Sequence, residues 1–234
     1  MLFLIACADP VAVEDPCAHD GALSSCLTPT QPETYYAEQG DLYFDTLESG
    51  FEGEPPNYAA GVARWEWPPW LKLTGYGRED METVDAIIRL IPTSVPVRDC
   101  RFFAEQPFAR CRVSFTYEEQ PDEQCPIYEE FTFDDVGEMT FIEAWADDPA
   151  YLPSAADDPW AEAGDARRLS TRIPGLGNPD GEIDLDSPWM AEAAAADPDV
   201  ADFVARARDF YGTWLEEYES AGPEVFAEGC GWSE

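Results

Sequence analysis

Glu129 and Glu143 lie in EEFTFDDVGEMTFIEAWAD, residues 129–147, on either side of the turn Asp134-Asp135-Val136-Gly137. A short hairpin loop with Gly137 in the left-handed conformation would set Asp134 opposite Glu138, Phe133 opposite Met139, Phe131 opposite Phe141 and Ile127 opposite Trp145. That register also puts Glu129 opposite Glu143. Like charges facing each other on a sheet are unfavourable. In apolar surroundings one carboxyl would keep its proton while the other ionised. Isomerases, cyclases and dehydratases move protons with such a pair, so Glu129 and Glu143 are the candidate acid and base. The structural alternative sets an arginine between them, from Arg101, Arg110 or Arg112 on adjoining strands. A slip of one residue at the turn would separate the two groups.

The segment Arg64-Trp65-Glu66-Trp67-Pro68-Pro69-Trp70 is the second feature with chemical potential. Extended backbone sends Trp65 and Trp67 to one side and Arg64 and Glu66 to the other, and Pro68-Pro69 presents Trp70 separately. Indoles at a cavity mouth suit a flat apolar ligand. Trp65, Trp67, Trp70, Tyr117, Phe131, Phe141 and Trp145 are therefore the candidate lining. Packing in the core is the competing reading, and the stronger one for most of these rings.

Cysteines indicate the compartment. Cys7 follows Leu4-Ile5-Ala6 in the pattern of a bacterial lipobox, although no basic residue precedes the apolar run. With Cys7 taken for lipid, Cys17, Cys26, Cys100, Cys111, Cys125 and Cys230 remain, an even set that suits disulfides in an oxidising compartment. Sequence spacing favours Cys17–Cys26 and Cys100–Cys111, which leaves Cys125 for Cys230. A zinc site lacks its spacing, since there is no CxxC pair and His19 is the sole histidine. The glycines of PGLGNPDGEID, Gly175, Gly177 and Gly181, read as a turn. A calcium loop placed there would begin at Leu176 and end at Ser187, and both ends fail. No metal and no cofactor are expected.

Acidic residues number 49 against 13 basic ones, a formal charge of −36. That surface repels phosphate backbones and anionic lipid, so nucleic acid is excluded and the membrane is reached only through a lipid anchor. Life in high salt and simple compositional drift explain the charge equally well.

The elements that must position these residues are legible from periodicity. Thr30-Gln31-Pro32-Glu33 has capping-box spacing, and Tyr36, Gly40, Tyr43, Phe44 and Leu47 follow on one helical face. Glu79 to Ile91 repeats the pattern with Met81, Val84, Ile87, Ile88 and Ile91. Strands are expected over 97–104, 109–117, 127–134 and 138–146. Ser187-Pro188 and Asp197-Pro198 each pair an N-cap with a first-turn proline, the second opening a helix with an apolar stripe to Tyr218. Helices first, strands next and helices last make an α+β layout.

With 129–147 as its closing hairpin, the stretch 32–147 resembles the nuclear transport factor 2-like superfamily, which includes SnoaL-like polyketide cyclases and ketosteroid isomerase. The resemblance implies a curved antiparallel sheet wrapped on N-terminal helices into a cone with an apolar cavity. Members include enzymes, binding modules and dimerisation domains, so no single reaction is implied. This chain has no histidine after residue 19, and catalysis would rest on carboxylates, tyrosines or arginines. The expected organisation is a lipoprotein-type signal at 1–7, an acidic tether at 8–31, the SnoaL-like domain at 32–147 and a loop-rich, mainly helical extension at 148–234. The expected role is an extracytoplasmic, lipid-anchored domain that binds a small apolar molecule. A carboxylate-based cyclase, isomerase or dehydratase is the second reading. An interaction module whose sheet face pairs with a partner, or with a second copy in a homodimer, is the third.

Overall fold

The computed structural model describes residues 27–66, 74–89, 93–117, 120–146, 160 and 168–209. Its elements run α1 (Glu33–Leu47), β1 (Tyr58–Glu66), β2 (Gly75–Tyr76), α2 (Arg78–Ile88), β3 (Thr93–Phe102), β4 (Ala109–Tyr117), β5 (Gln120–Phe133), β6 (Met139–Ala146), α3 (Pro188–Ala196) and α4 (Pro198–Arg208). The strands form one curved, open sheet in the order β2-β1-β6-β5-β4-β3. Among the described strands, only β1 and β6 pair in parallel. The architecture is α+β, as the periodicity implies.

Burial of one apolar face holds α1 on the sheet. Tyr36, Tyr43, Phe44 and Leu47 recur at helical spacing and are buried. Tyr36 packs edge-on against Phe108 and Phe133, and Phe131 meets both Tyr43 and Phe44. Gly40 permits the close approach: a Cβ there would lie 2.9 Å from Cys111 Sγ. That sulfur belongs to the Cys100–Cys111 disulfide, which joins directly opposed residues of β3 and β4. The spacing-based pairing of these two cysteines is thus found. Cys125 is buried and disulfide-bonded; Cys7, Cys17, Cys26 and Cys230 lie outside the described residues.

The expected capping box does not form. Pro32 is the N-cap of α1, without a side-chain cap, and the Thr30 and Gln31 amides donate to the Tyr36 hydroxyl instead. Leu27, inside the expected tether, is buried in the core. The later caps behave as read: Ser187 accepts from the Met190 amide and Asp197 from the Asp199 amide.

Residues 168–209 pack on the sheet face opposite α1. Leu169, Ile173, Leu176, Ile183, Val200 and Phe203 bury Ala63, Trp65 and Phe141 there. Both faces of the central strands are covered.

Between β5 and β6 the register departs from the one the turn implies. Gly137 does adopt a positive φ of 88°, Asp134 Oδ1 accepts from the Val136 and Glu138 amides, and Phe133 does face Met139. Beyond that pair Thr140 is an extra residue, so Thr132 faces Phe141, Phe131 faces Ile142 and Tyr128 faces Trp145. The bulge sits where the 174–181 turn docks: a Cβ on Gly181 would come within 2.6 Å of Thr140 Cγ2. Asp135 donates its amide to Pro179 O at 2.7 Å in the same contact. A hairpin turn sets only the first pairs, and a tertiary contact sets the rest.

Candidate functional site

The bulge moves Glu129 opposite Ala144 and sets Glu143 opposite Glu130. Glu129 and Glu143 therefore lie on different faces of the sheet and do not form an acid–base pair. Trp65 is also on the other side from its expected place. The alternation in RWEW holds, but Arg64 and Glu66 enter the concave face while Trp65 packs outside under α4. There its Nε1 donates to Asp202 Oδ2 at 3.2 Å.

What fills the concave face at this level is a buried charged cluster. Glu66 faces Ala144, which in turn faces Glu129, so the small alanine separates two carboxylates. Arg64 donates to the Tyr43 hydroxyl and to Glu66. Its Nη2 also lies 3.7 Å from Glu129 Oε1, and its Nε finds no partner. Arg64 is 3%, Glu66 2% and Glu129 0% exposed. Neither oxygen of Glu129 accepts a hydrogen bond. Burial pushes the Glu129 carboxyl up to about 8; Arg64 opposes this, while Glu66 and Asp85 add to it. With Arg64 engaged by Glu66, burial favours the protonated form of Glu129, which can donate a hydrogen bond.

Asp85 reaches this neighbourhood from α2. Its Oδ2 accepts from the Tyr58 hydroxyl at 3.0 Å and its Oδ1 has no hydrogen-bond partner. Burial raises its carboxyl to about 6, with Arg64 opposing. Ser114 Oγ and Thr74 Oγ1 are further buried polar atoms without partners.

On the convex face, Glu143 and Glu130 are held structurally. Glu143 accepts the backbone amides of Leu169 and of Ser170, the latter at 3.0 Å. Arg168 grips Glu130 through Nε to Oε2 at 2.6 Å and Nη2 to Oε1 at 2.7 Å. Arg110 stands 3.2 Å from the same carboxylate and stacks on Phe103 at 3.9 Å. Two arginines thus hold Glu130, and two backbone amides hold Glu143.

Of the candidate lining residues, Phe131 and Tyr117 are buried on the concave side. Phe141 meets Phe203 on the convex side, and Trp145 meets Tyr128 there. The cone does not gather these rings around one space. Trp67 and Trp70 lie outside the described residues. Sequence reading passed over Arg64, Glu66, Asp85, Tyr43 and Tyr58 as site residues. One signal was present: Asp85 interrupts the apolar stripe of Met81, Val84 and Ile88, all buried.

No protein-family model matches the chain. No curated protein matches it either. Solved structures similar to it include an NTF2-like protein from Burkholderia xenovorans LB400, 12% identical, covering 48% of this chain and 88% of that one with a TM-score of 0.35. A structure described as a SnoaL-like polyketide cyclase from Mesorhizobium loti is 11% identical, covering 50% and 99% at a TM-score of 0.34. Yeast UBP3-associated protein BRE5 is 11% identical, covering 49% and 88% at 0.28. The chemistry of the site rests on this chain's own geometry.

Proposed function

We propose that this chain is an extracytoplasmic, lipid-anchored SnoaL-like domain that binds a small, largely apolar molecule in its cone through Glu129. One observation carries the reading: a fully buried carboxyl whose two oxygens lack hydrogen bonds, beside a buried arginine. Leaving a buried polar group unpaired costs about 1–3 kcal/mol, which a ligand offering an acceptor to the Glu129 proton would offset. Tyr43 and Phe131 give that ligand apolar neighbours. The Cys100–Cys111 disulfide and the lipobox-like run ending at Cys7 support an oxidising location outside the cytoplasm.

A thermal-shift screen of neutral aromatic ketones and lactones near pH 6.5 tests the site. Ligands of this site should lose roughly tenfold or more in affinity with Glu129→Ala, the loss of about one good hydrogen bond. Glu129→Gln, which keeps an N–H donor, should retain most of it. Hits indifferent to both variants would remove Glu129 from the site. For the anchor, Cys7→Ser expressed in a bacterial host should no longer take up labelled palmitate; uptake unchanged would exclude lipidation at Cys7.

The elevated Glu129 carboxyl favours a second reading, an isomerase, cyclase or dehydratase, because a group titrating near 8 suits proton transfer at neutral pH. Glu129→Gln separates the two: an enzyme loses turnover while its substrate still binds.

A further inference from the structure

Beyond the cone, a pocket of about 230 Å³ opens between the C-terminal turn of α1, the 51–55 loop and α2. Phe51, Glu52, Pro55, Glu82, Asp85 and Arg89 line it. We propose that this pocket binds a small primary alkylammonium compound, with Asp85 accepting from the ammonium and Phe51 and Pro55 enclosing its stem.

Asp85 is the built part of the site. It is 1% exposed, its Oδ2 accepts from Tyr58, and its Oδ1 accepts no hydrogen bond, because the neighbouring Thr46 hydroxyl donates to the Tyr43 carbonyl at 2.6 Å. Such an oxygen calls for an N–H or O–H from a ligand. Glu52 and Glu82 add two carboxylates to the lining, so three acidic groups stand against Arg89. Arg89 is already engaged, its Nη1 donating to the Thr46 carbonyl at 2.6 Å with the guanidinium 5.8 Å from the Phe51 ring centre. An anion would meet three carboxylates against one lining arginine here, whereas an ammonium brings charge and N–H donors to them. The volume is below the ~300 Å³ at which drug-sized pockets begin, which limits the stem to a short one. Arg64 and Arg89 both interact with the Asp85 charge, so the carboxylate is not isolated.

Titration of the whole chain with n-butylammonium chloride, followed by amide NMR in 0.15 M NaCl, tests the assignment. Saturable shifts are expected in residues 46–53 and 82–89, with none from butyrate or 1-butanol. Tetramethylammonium, which has no N–H, should bind at least tenfold more weakly. Asp85→Asn should weaken binding by a similar factor. Because Asp85 also holds Tyr58, the exposed Glu82→Gln serves as the variant sure to fold, with roughly a threefold loss expected from the smaller field. Glu192→Gln on α3 should change nothing. Linear shifts shared equally by tetramethylammonium would reduce the effect to screening of the acidic surface and overturn the site. Glu82→Gln matching Glu192→Gln would overturn it as well. Saturation by Nα-acetyl-lysine amide as tight as by n-butylammonium would place the ammonium on a protein side chain; rejection of it assigns a free amine. Binding here is read at residues 46–53 and 82–89 and against Glu82→Gln, whatever the outcome at Glu129, so this site and the cone site can fail separately.

Discussion

A buried carboxyl without hydrogen bonds makes folding sensitive to pH in a defined direction. The Glu129 carboxyl is raised to about 8, Glu143 to about 7 and Asp85 to about 6, each by burial first. In the unfolded chain all three titrate near ~4. Between those values the native state binds more protons than the unfolded one, so stability is full below pH ~4 and falls as pH rises. Each group contributes at most about 1.4 kcal/mol per pH unit within its window. Glu129→Gln, neutral at every pH, should be less pH-sensitive than the wild type and gain on it from pH 5 to 8 in calorimetry. Parallel melting curves for the two proteins would mean that Glu129 titrates like an exposed glutamate. Glu143 is different because it has partners. Glu143→Ala leaves the Leu169 and Ser170 amides without their acceptor, at about 1–3 kcal/mol each. The expected outcome is faster hydrogen exchange at those two amides and a lower melting temperature, with ligand binding in the cone unaffected. Unchanged exchange there would deny Glu143 its anchoring role.

At the scale of elements, two devices account for what the sequence did and did not disclose. Helical stripes such as Tyr36–Tyr43–Phe44–Leu47 and the Gly137 turn were readable because each depends on local spacing alone. The faces of β1 were not, because α1 and α2 cover one side and 168–209 the other. With both sides buried, alternation says that Arg64 and Trp65 part company, not which of them enters the cone. The Thr140 bulge was equally hidden, since its cause is a turn remote in sequence. Gly181 has a φ of 56° and no room for a Cβ beside Thr140. Gly181→Ala should therefore cost on the order of 1–3 kcal/mol. Thr140→Ser removes the methyl that a Cβ would strike, so the double variant should recover about 0.5 kcal/mol or more relative to additivity. A strictly additive cycle in urea unfolding would mean that the turn and the bulge do not touch.

Over the whole molecule, charge is divided between an interior that salt cannot reach and a surface that it can. Arg64 with Glu66 and Arg168 with Glu130 are buried pairs, insulated from counterions. Most of the remaining acidic excess, part of the formal −36, has no basic residue available to match it. It acts on stability through mutual repulsion, which folding concentrates into a smaller volume. The same excess opposes association of copies of the chain at low salt. A second copy pairing through the convex sheet face would also have to displace 168–209 from Trp65 and Phe141. Raising sodium chloride from 0.01 M to 1 M shortens the screening length from ~30 Å to ~3 Å. The melting temperature should climb steadily over that range. Glu143→Ala should climb in parallel, since the contacts it breaks are buried. A melting temperature indifferent to salt would mean that the carboxylates are spaced widely enough not to oppose folding, and would count against salt adaptation as the origin of the composition. A variant that converges on the wild type as salt rises would show instead that Glu143 acts through long-range charge and not through the two amides that it holds.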